Sequence, residues 1–312
     1  MYLKKKLKNW NSSVSLAIVL ESAAPDFITC FFQNLLPIWF RFKSHLSVHF
    51  LVPNQFSNCS DLKFTMNQNF SSCSLVSFKV LPMNISKITT YPVNLARNAA
   101  RSFATSKYIL IADLDHLFSE FFEVKMRTLA DDFFKNTNNH KAVLVYRIFE
   151  VTDEYSEEHN PLTKNDLKIL LKNGNAKEFH SSFGHAHKIS LLKKWLENNT
   201  EGIQFYKQYR SFDWEPQFVS LPSIPFHDEN FLYPIRDNTV LRWEMCRSNF
   251  TFAIVYNHFM YHPGFKSFKT QQFLNIARKT ILKEAQTARS KFNKRMDSLY
   301  PKTKKSCPKA GI

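Results

Sequence analysis

The chain has 312 residues, enough for one large domain or two small ones around a shared core, and 44 % hydrophobic residues allow that core without staples. With 31 Phe against 5 Gly, and no internal repeat or low-complexity tract, a flexible or repetitive protein is excluded. The formal net charge of +16 is scattered, with modest clusters at Lys4, Lys5 and Lys6, at Lys193 and Lys194, and at Lys302, Lys304 and Lys305. No nucleic-acid motif accompanies it, so the basic surface points to acidic small ligands or glycans rather than to nucleic acid.

Residues 1–13 form a basic N-terminal segment. The short apolar run 14–20 predicts a fully buried parallel strand. Apolar spacing at Phe27, Cys30, Phe31 and Leu35 predicts a helix over 26–36, capped by Asp26 and ended or kinked by Pro37. A second buried strand follows at 46–53, making a right-handed βαβ start to an α/β domain. A polar loop over 54–74 leads to a third strand at 75–81. Pro92 opens a helix over 93–106 whose core face is Leu95, Ala99 and Phe103, and 108–112 is a buried strand ending at Asp113. A helix over 120–134, a strand at 142–149, a charged loop and helix over 151–178, a short helix over 190–197 and a late strand at 252–255 come next. One long basic amphipathic helix spans 268–300, and the tail 301–312 reads as irregular.

The five cysteines show no zinc-like spacing. Cys59 and Cys73 bracket a short polar segment and form one candidate disulfide; Cys246 and Cys307 form another that ties the tail to the body, leaving Cys30 over. Six N-x-S/T sequons, at Asn11, Asn58, Asn69, Asn84, Asn198 and Asn249, fit a secretory lumen better than the cytosol. No run approaches the ~18 apolar residues of a membrane span. The start MYLKKKLKNW followed by VSLAIVL reads as a basic segment and first strand, not as a signal peptide.

The sharpest local chemistry is Asp113-Leu114-Asp115 at a strand end, where open α/β sheets bind ligands. Residues i and i+2 of an extended segment point the same way, so both carboxylates can meet one hard cation that bridges the phosphates of a nucleotide sugar. The preceding helix offers Asn94 and Asn98, and Arg97 and Arg101, as i,i+4 pairs able to read a base or ribose and to hold phosphate. Downstream, DWEPQFV, with Trp214 and Glu215, and PFHDENF, with Asp228 and Glu229, combine carboxylates with aromatics. Such pairs suit a sugar acceptor and the base that deprotonates its hydroxyl. His262 in YHPGFKS offers the cation an imidazole. His180, His185 and His187 have no second matching cluster, which argues against zinc.

At these residues the sequence resembles glycosyltransferase family 49, the family of the dystroglycan β-1,4-glucuronyltransferase and of the LARGE-type C-terminal catalytic domains. YPVNLARNAARSFATSKYILIADLDHLF is similar to the family's helix and D-x-D strand. DWEPQFV, PFHDENF, NHFMYHPGFKS and KFNKRMDSLYPKTKKSCP resemble its later motifs, in order over roughly 14–308. The resemblance implies a GT-A-type fold, an α/β arrangement with a mixed, mostly parallel sheet flanked by helices. It divides the single catalytic domain 14–300 into a nucleotide-sugar half (14–120), an acceptor half (121–267) and a C-terminal helix (268–300).

The same resemblance implies Mn2+ held by Asp113, Asp115 and His262, and a UDP-sugar donor lined by Asn94, Arg97, Asn98 and Asp113. It further implies a glycan or glycoprotein acceptor near Trp214 and Glu215, and inversion with Asp228 or Glu229 as base. Glucuronic acid is the first expectation for the sugar, with N-acetylglucosamine or xylose as alternatives. The implied location is the Golgi lumen, with membrane association only through an anchor absent from this sequence. Departures from the family pattern fall at His116, Leu117 and Phe118 after the D-x-D, at Asn230, at His258 and in LYPIRDN. They leave the metal set in place and make a catalytically inactive glycan-binding paralogue the alternative.

Overall fold

The computed structural model describes residues 2–20, 25–52, 84–158 and 161–312. The strand read at 75–81 and the candidate Cys59–Cys73 disulfide lie outside these residues.

The chain opens with α1 (Tyr2–Lys8), β1 (Val14–Val19), α2 (Pro25–Phe42) and β2 (Leu46–Leu51). β1 and β2 pair in parallel as a separate two-stranded sheet, joined through α2. β1 is only half-buried along its length, because this small sheet has a single neighbour strand. α2 runs through Pro37 rather than stopping there. The residues after the proline, Ile38, Trp39 and Phe42, join Leu35 against β1 and β2, and that burial outweighs the one hydrogen bond a proline removes.

Next come α3 (Ile85–Thr90), α4 (Val93–Ser102), β3 (Ile109–Leu110), β4 (Leu117–Phe118), α5 (Phe122–Thr137) and β5 (Ala142–Val151). They are followed by α6 (Asp153–Glu158), α7 (Lys164–Lys172), β6 (Ala176–Glu178), α8 (Leu192–Glu197), β7 (Ile203–Lys207) and β8 (Gln217–Ser220). The last elements are α9 (Thr239–Arg247), β9 (Thr251–Pro263), α10 (Phe268–Thr280) and α11 (Leu282–Leu299), with a 3₁₀ turn at Pro301–Thr303. The helix read as continuous over 268–300 is therefore two helices broken at Ile281, which is itself buried against Ile235 and Ala285.

The main sheet runs β3-β8-β5-β9-β4, with β6 on β5 and β7 on β9. It corrects the expectation of a mostly parallel sheet. Among the described residues only β1–β2 and β5–β9 are parallel, and the other five pairings are antiparallel. An apolar run announces a strand buried on both faces, and helices bury both faces of strands of either direction, so the pattern carries no direction. Strands from both sides of residue 120 share this sheet.

β5 is buried at all ten positions. Val143 and Val145 face a cluster with Trp214, Phe231, Trp243 and Phe292 from the α9/α11 side, while Leu144, Tyr146 and Ile148 face Phe122, Met126 and Phe133 of α5. This period-2 division puts helices on both faces of the sheet. Cys246 of α9 is disulfide-bonded to Cys307, clamping the tail to the first of these clusters. Cys30 is not left over: it too is disulfide-bonded.

Candidate active site

Because β8 is antiparallel to both β3 and β5, the carboxyl ends of β3, β5 and β9 lie on one edge of the sheet. Asp113 follows β3 there, and β9 continues far past residue 255 to bring His262 opposite Glu150 of β5. Gly264 then turns the chain away at φ 79°, where a Cβ would stand 3.2 Å from both Asp153 carboxylate oxygens.

The D-x-D is a turn rather than an extended segment. The His116 N–H donates to the Asp113 carbonyl, and the Asp113 N–H donates to His116 Nδ1, both at 3.2 Å. The chain must reverse here to deliver β4 against β9, so the turn aims the two carboxylates, while Leu114 points outward and is exposed.

Asp115 Oδ2 meets His262 Nε2 at 3.1 Å across 147 residues of sequence. Asp113 Oδ1 lies 3.5 Å from Arg97 Nη2, and Nη1 of the same guanidinium is 2.8 Å from Asp237 Oδ2. Burial would raise the Asp115 carboxyl, but the His262 hydrogen bond and the nearby His116 ring outweigh it and hold it down to about 2. At Asp113 burial is likewise outweighed, by the Arg97 charge, and the carboxyl is lowered. Burial lowers His262, yet Asp115 wins and raises it, while buried His116 falls to about 4. The result is two ionised carboxylates beside one imidazole that carries a proton more readily than usual.

Among the described residues no three His, Cys, Asp or Glu side chains converge as a metal-holding group. Asp115 and His262 are paired directly, and Asp113 is drawn toward Arg97. The donor chemistry of the three, two ionised oxygens and one imidazole nitrogen, nevertheless fits a cation such as Mn2+. Around Phe179 the rings of His180, His187 and His262 gather at centroid distances of 3.8, 4.9 and 5.8 Å.

α4 corrects the sequence reading most sharply. Leu95 and Phe103, read as its core face, are 41 % and 59 % exposed, whereas Asn94, Asn98 and Arg101 are buried. Asn94 Nδ2 donates to the Asp228 carbonyl (2.9 Å) and its Oδ1 accepts from Arg97 (3.1 Å). Asn98 Nδ2 donates to the His227 carbonyl (2.9 Å) and to Glu229 Oε1 (2.8 Å), and its Oδ1 accepts from the His227 N–H (3.0 Å). Arg101 donates to the carbonyls of Pro222, Ile224 and Pro225. These side chains hold the 222–231 segment, so the two amides face protein rather than a base or ribose.

Asp228 and Glu229 open away from the D-x-D. With His140, Lys141, Ser248 and Phe250 they line a cavity of about 890 Å³. The latter four precede β5 and β9, at the amino edge of the sheet, whereas Asp113 and His262 sit at the carboxyl edge. Asp228 is also held: Oδ1 accepts from the Asn230 N–H (3.0 Å), and Oδ2 pairs with Arg295 (3.0 Å). Trp214, read as an acceptor contact, is 3 % exposed and packs against Tyr209 and Phe252, so its face is closed to a glycan. Glu215 accepts from Asn238 (2.7 Å) and Thr239 (2.8 Å) and anchors the start of α9.

The sequence reading missed three groups at this edge. Asp237 is buried, and that burial raises its carboxyl above the ordinary value against the pull of Arg97. Glu150, 1 % exposed, pairs with Lys177 at 3.2 Å; a carboxylate inside the apolar run AVLVYRIFEV was a readable signal. Lys6 of α1 donates to the Asp113 carbonyl at 2.8 Å, and nothing local in a basic segment marks it out.

A family model described as glycosyl-transferase for dystroglycan matches residues 1–301. Beta-1,4-glucuronyltransferase 1 of Mus musculus is 27 % identical over 228 residues, covering 70 % of this chain and 51 % of that protein. The Danio rerio protein of the same name is 26 % identical over 182 residues (57 % and 41 %), and the Homo sapiens protein 25 % over 224 (70 % and 51 %). The chain spans about half the length of the curated relatives it matches.

Proposed function

The chain belongs to the family of glycosyltransferases for dystroglycan, and on that footing we propose that it is an inverting transferase moving a sugar from a UDP donor to a glycan. The observation that carries this reading is the Asp115–His262 contact, which joins the D-x-D turn to the end of β9. We take the fold as GT-A type and glucuronic acid as the transferred sugar, in keeping with the glucuronyltransferase activity for which the relatives are named. The Cys246–Cys307 disulfide supports a secretory, Golgi-type lumen. Among the described residues no helix is long and apolar enough to cross a membrane.

Asp113, Asp115 and His262 are the residues that would hold Mn2+, whose charge offsets that of the departing diphosphate. The acceptor oxygen bonds to the anomeric carbon as the carbon–oxygen bond to phosphate breaks. The bonding pair leaves on the diphosphate, and the hydroxyl proton passes to a carboxylate. Asp237 is our candidate for that carboxylate. One guanidinium holds it beside Asp113, and burial raises its affinity for a proton, which suits a base; Asp228 and Glu229 line the amino-edge cavity instead.

The test is a screen of UDP-sugars for Mn2+-dependent hydrolysis, followed by transfer to xylose- and galactose-ended glycans. Hydrolysis of UDP-glucuronic acid above other donors is the expected result. Absence of both UDP binding and hydrolysis would refute the enzyme reading in favour of an inactive paralogue.

A further inference from the structure

We propose that Lys6, carried on the amino-terminal helix α1, is a diphosphate-binding residue of the donor site. The inference rests on the UDP-donor reading above and assigns a cation outside the motifs described so far.

α1 is not a loose basic tail. Leu3 and Leu7, one turn apart, are 8 % and 2 % exposed and pack with Leu35, Phe42 and Leu46. On the far side of the helix end, Trp10 lies against Phe118 and Phe122 at ring distances of 5.1 and 6.2 Å. With α1 fixed at both ends, the Lys6 ammonium lies over the Phe118 ring, 5.6 Å from its centroid, and reaches the D-x-D turn. Phe118 follows that turn directly, so the same stretch of chain places both the carboxylates and the surface that guides the lysine.

The ammonium has three N–H donors, and one goes to the Asp113 carbonyl at 2.8 Å. Its charge is felt by both the Asp113 and Asp115 carboxylates. Among the described residues Arg97, a second Lys or Arg at the turn, is already committed to Asn94, Asp113 and Asp237 and only 11 % exposed, and the His262 ring is committed to Asp115. Among the described residues Lys6 is therefore the cation at this turn with donors to turn toward a ligand. A diphosphate seated on a cation at Asp113 and Asp115 comes within its reach. As the bond to the anomeric carbon breaks, the electron pair arrives on a phosphate oxygen, and a Lys6 N–H donated to that oxygen stabilises it without proton transfer.

The experiment measures UDP binding calorimetrically in Mn2+ for the wild-type chain, Lys6→Gln, Lys6→Arg and Lys4→Gln, an exposed change on the same helix. Uridine competition serves as the phosphate-free probe and circular dichroism confirms folding. Losing a charge-assisted hydrogen bond predicts UDP affinity weakened by roughly ten- to a hundredfold in Lys6→Gln. Lys6→Arg should stay within a few fold of wild type, Lys4→Gln should be unchanged, and uridine should bind all four alike. UDP binding by Lys6→Gln within twofold of wild type overturns the inference, as does an equal loss of uridine and UDP. Wild-type chain that binds no UDP with Mn2+ overturns the donor reading and this inference together. Wild-type binding undisturbed by Lys6→Gln removes this inference alone.

Discussion

The Cys246–Cys307 disulfide closes a loop with a sequence separation of 61, from the end of α9 through β9, α10 and α11. Opening that loop in the unfolded chain releases conformational entropy. The chain-closure relation gives about 14 cal/mol/K for a loop of this size, or about 4 kcal/mol at 25 °C. Spread over an unfolding entropy of about 2.1 cal/mol/K per residue, this lowers Tm by about 6 °C. The perturbation is the double variant Cys246→Ser, Cys307→Ser, followed by calorimetric unfolding without reductant. Reductant on the wild-type chain is a poor substitute, because Cys30 is also disulfide-bonded and would open too. The native fold should persist, because Arg247 still donates to the carbonyls of Met296 and Tyr300 (2.8 Å each) and pairs with Asp297 at 2.9 Å. A Tm within 1 °C of wild type would refute the loop-entropy account and place the tail's attachment wholly in these contacts and in core packing.

The remaining predictions concern the site. Asp115→Asn keeps the side chain's shape but removes its charge beside His262, and Mn2+-dependent UDP-sugar hydrolysis should fall at least a hundredfold while circular dichroism is unchanged; retained turnover would remove the metal role. Asp237→Asn should lower kcat by about 10² to 10⁴, the range for losing a general base, whereas Glu229→Gln should change it less than tenfold; the reverse order would return the base to the amino-edge cavity. His262 has a raised pKa in the folded chain, so the stability of its pair with Asp115 is fully present below the unfolded value of 6.5 and lost as pH rises through the raised one. Mn2+ must displace that proton, so Mn2+ affinity should climb with pH, up to about tenfold per unit below the His262 pKa, with one proton released per ion in buffers of different ionisation enthalpy.

Why some of this was legible and some not can be seen on α4. Its existence followed from Pro92 and the periodicity of the run, but its orientation did not. Apolar periodicity assumes that a helix packs on side chains, whereas α4 packs on a segment that presents the carbonyls of Pro222, Ile224, Pro225, His227 and Asp228. Buried acceptors require donors, so Asn94, Asn98 and Arg101 go inside and Leu95 and Phe103 go out. The same limit applies to Trp214: the aromatic beside a carboxylate was visible, its burial was not. β9 shows the opposite failure, for only 252–255 read as a strand. The chain passes a left-handed Asn257 (φ 65°) and resumes as strand up to His262 because β5 and β4 supply ladder partners from far away in sequence.

The sequence alone determined the family, by motifs in order, and the elements whose causes are local: a proline-opened helix, apolar runs for β1, β2 and β5, and two carboxylates two residues apart at a strand end. Tertiary structure decided which groups meet. The β5–β9 register set His262 against the edge that carries Asp115, packing of Leu3 and Leu7 brought Lys6 to the D-x-D turn, and the hydrogen bonds of Asn94 and Asn98 hold the segment whose Asp228 and Glu229 line the amino-edge cavity. Spacing along the chain fixes neighbours only within a turn or a strand. Contacts across 147 residues depend on register and burial, which no local pattern encodes.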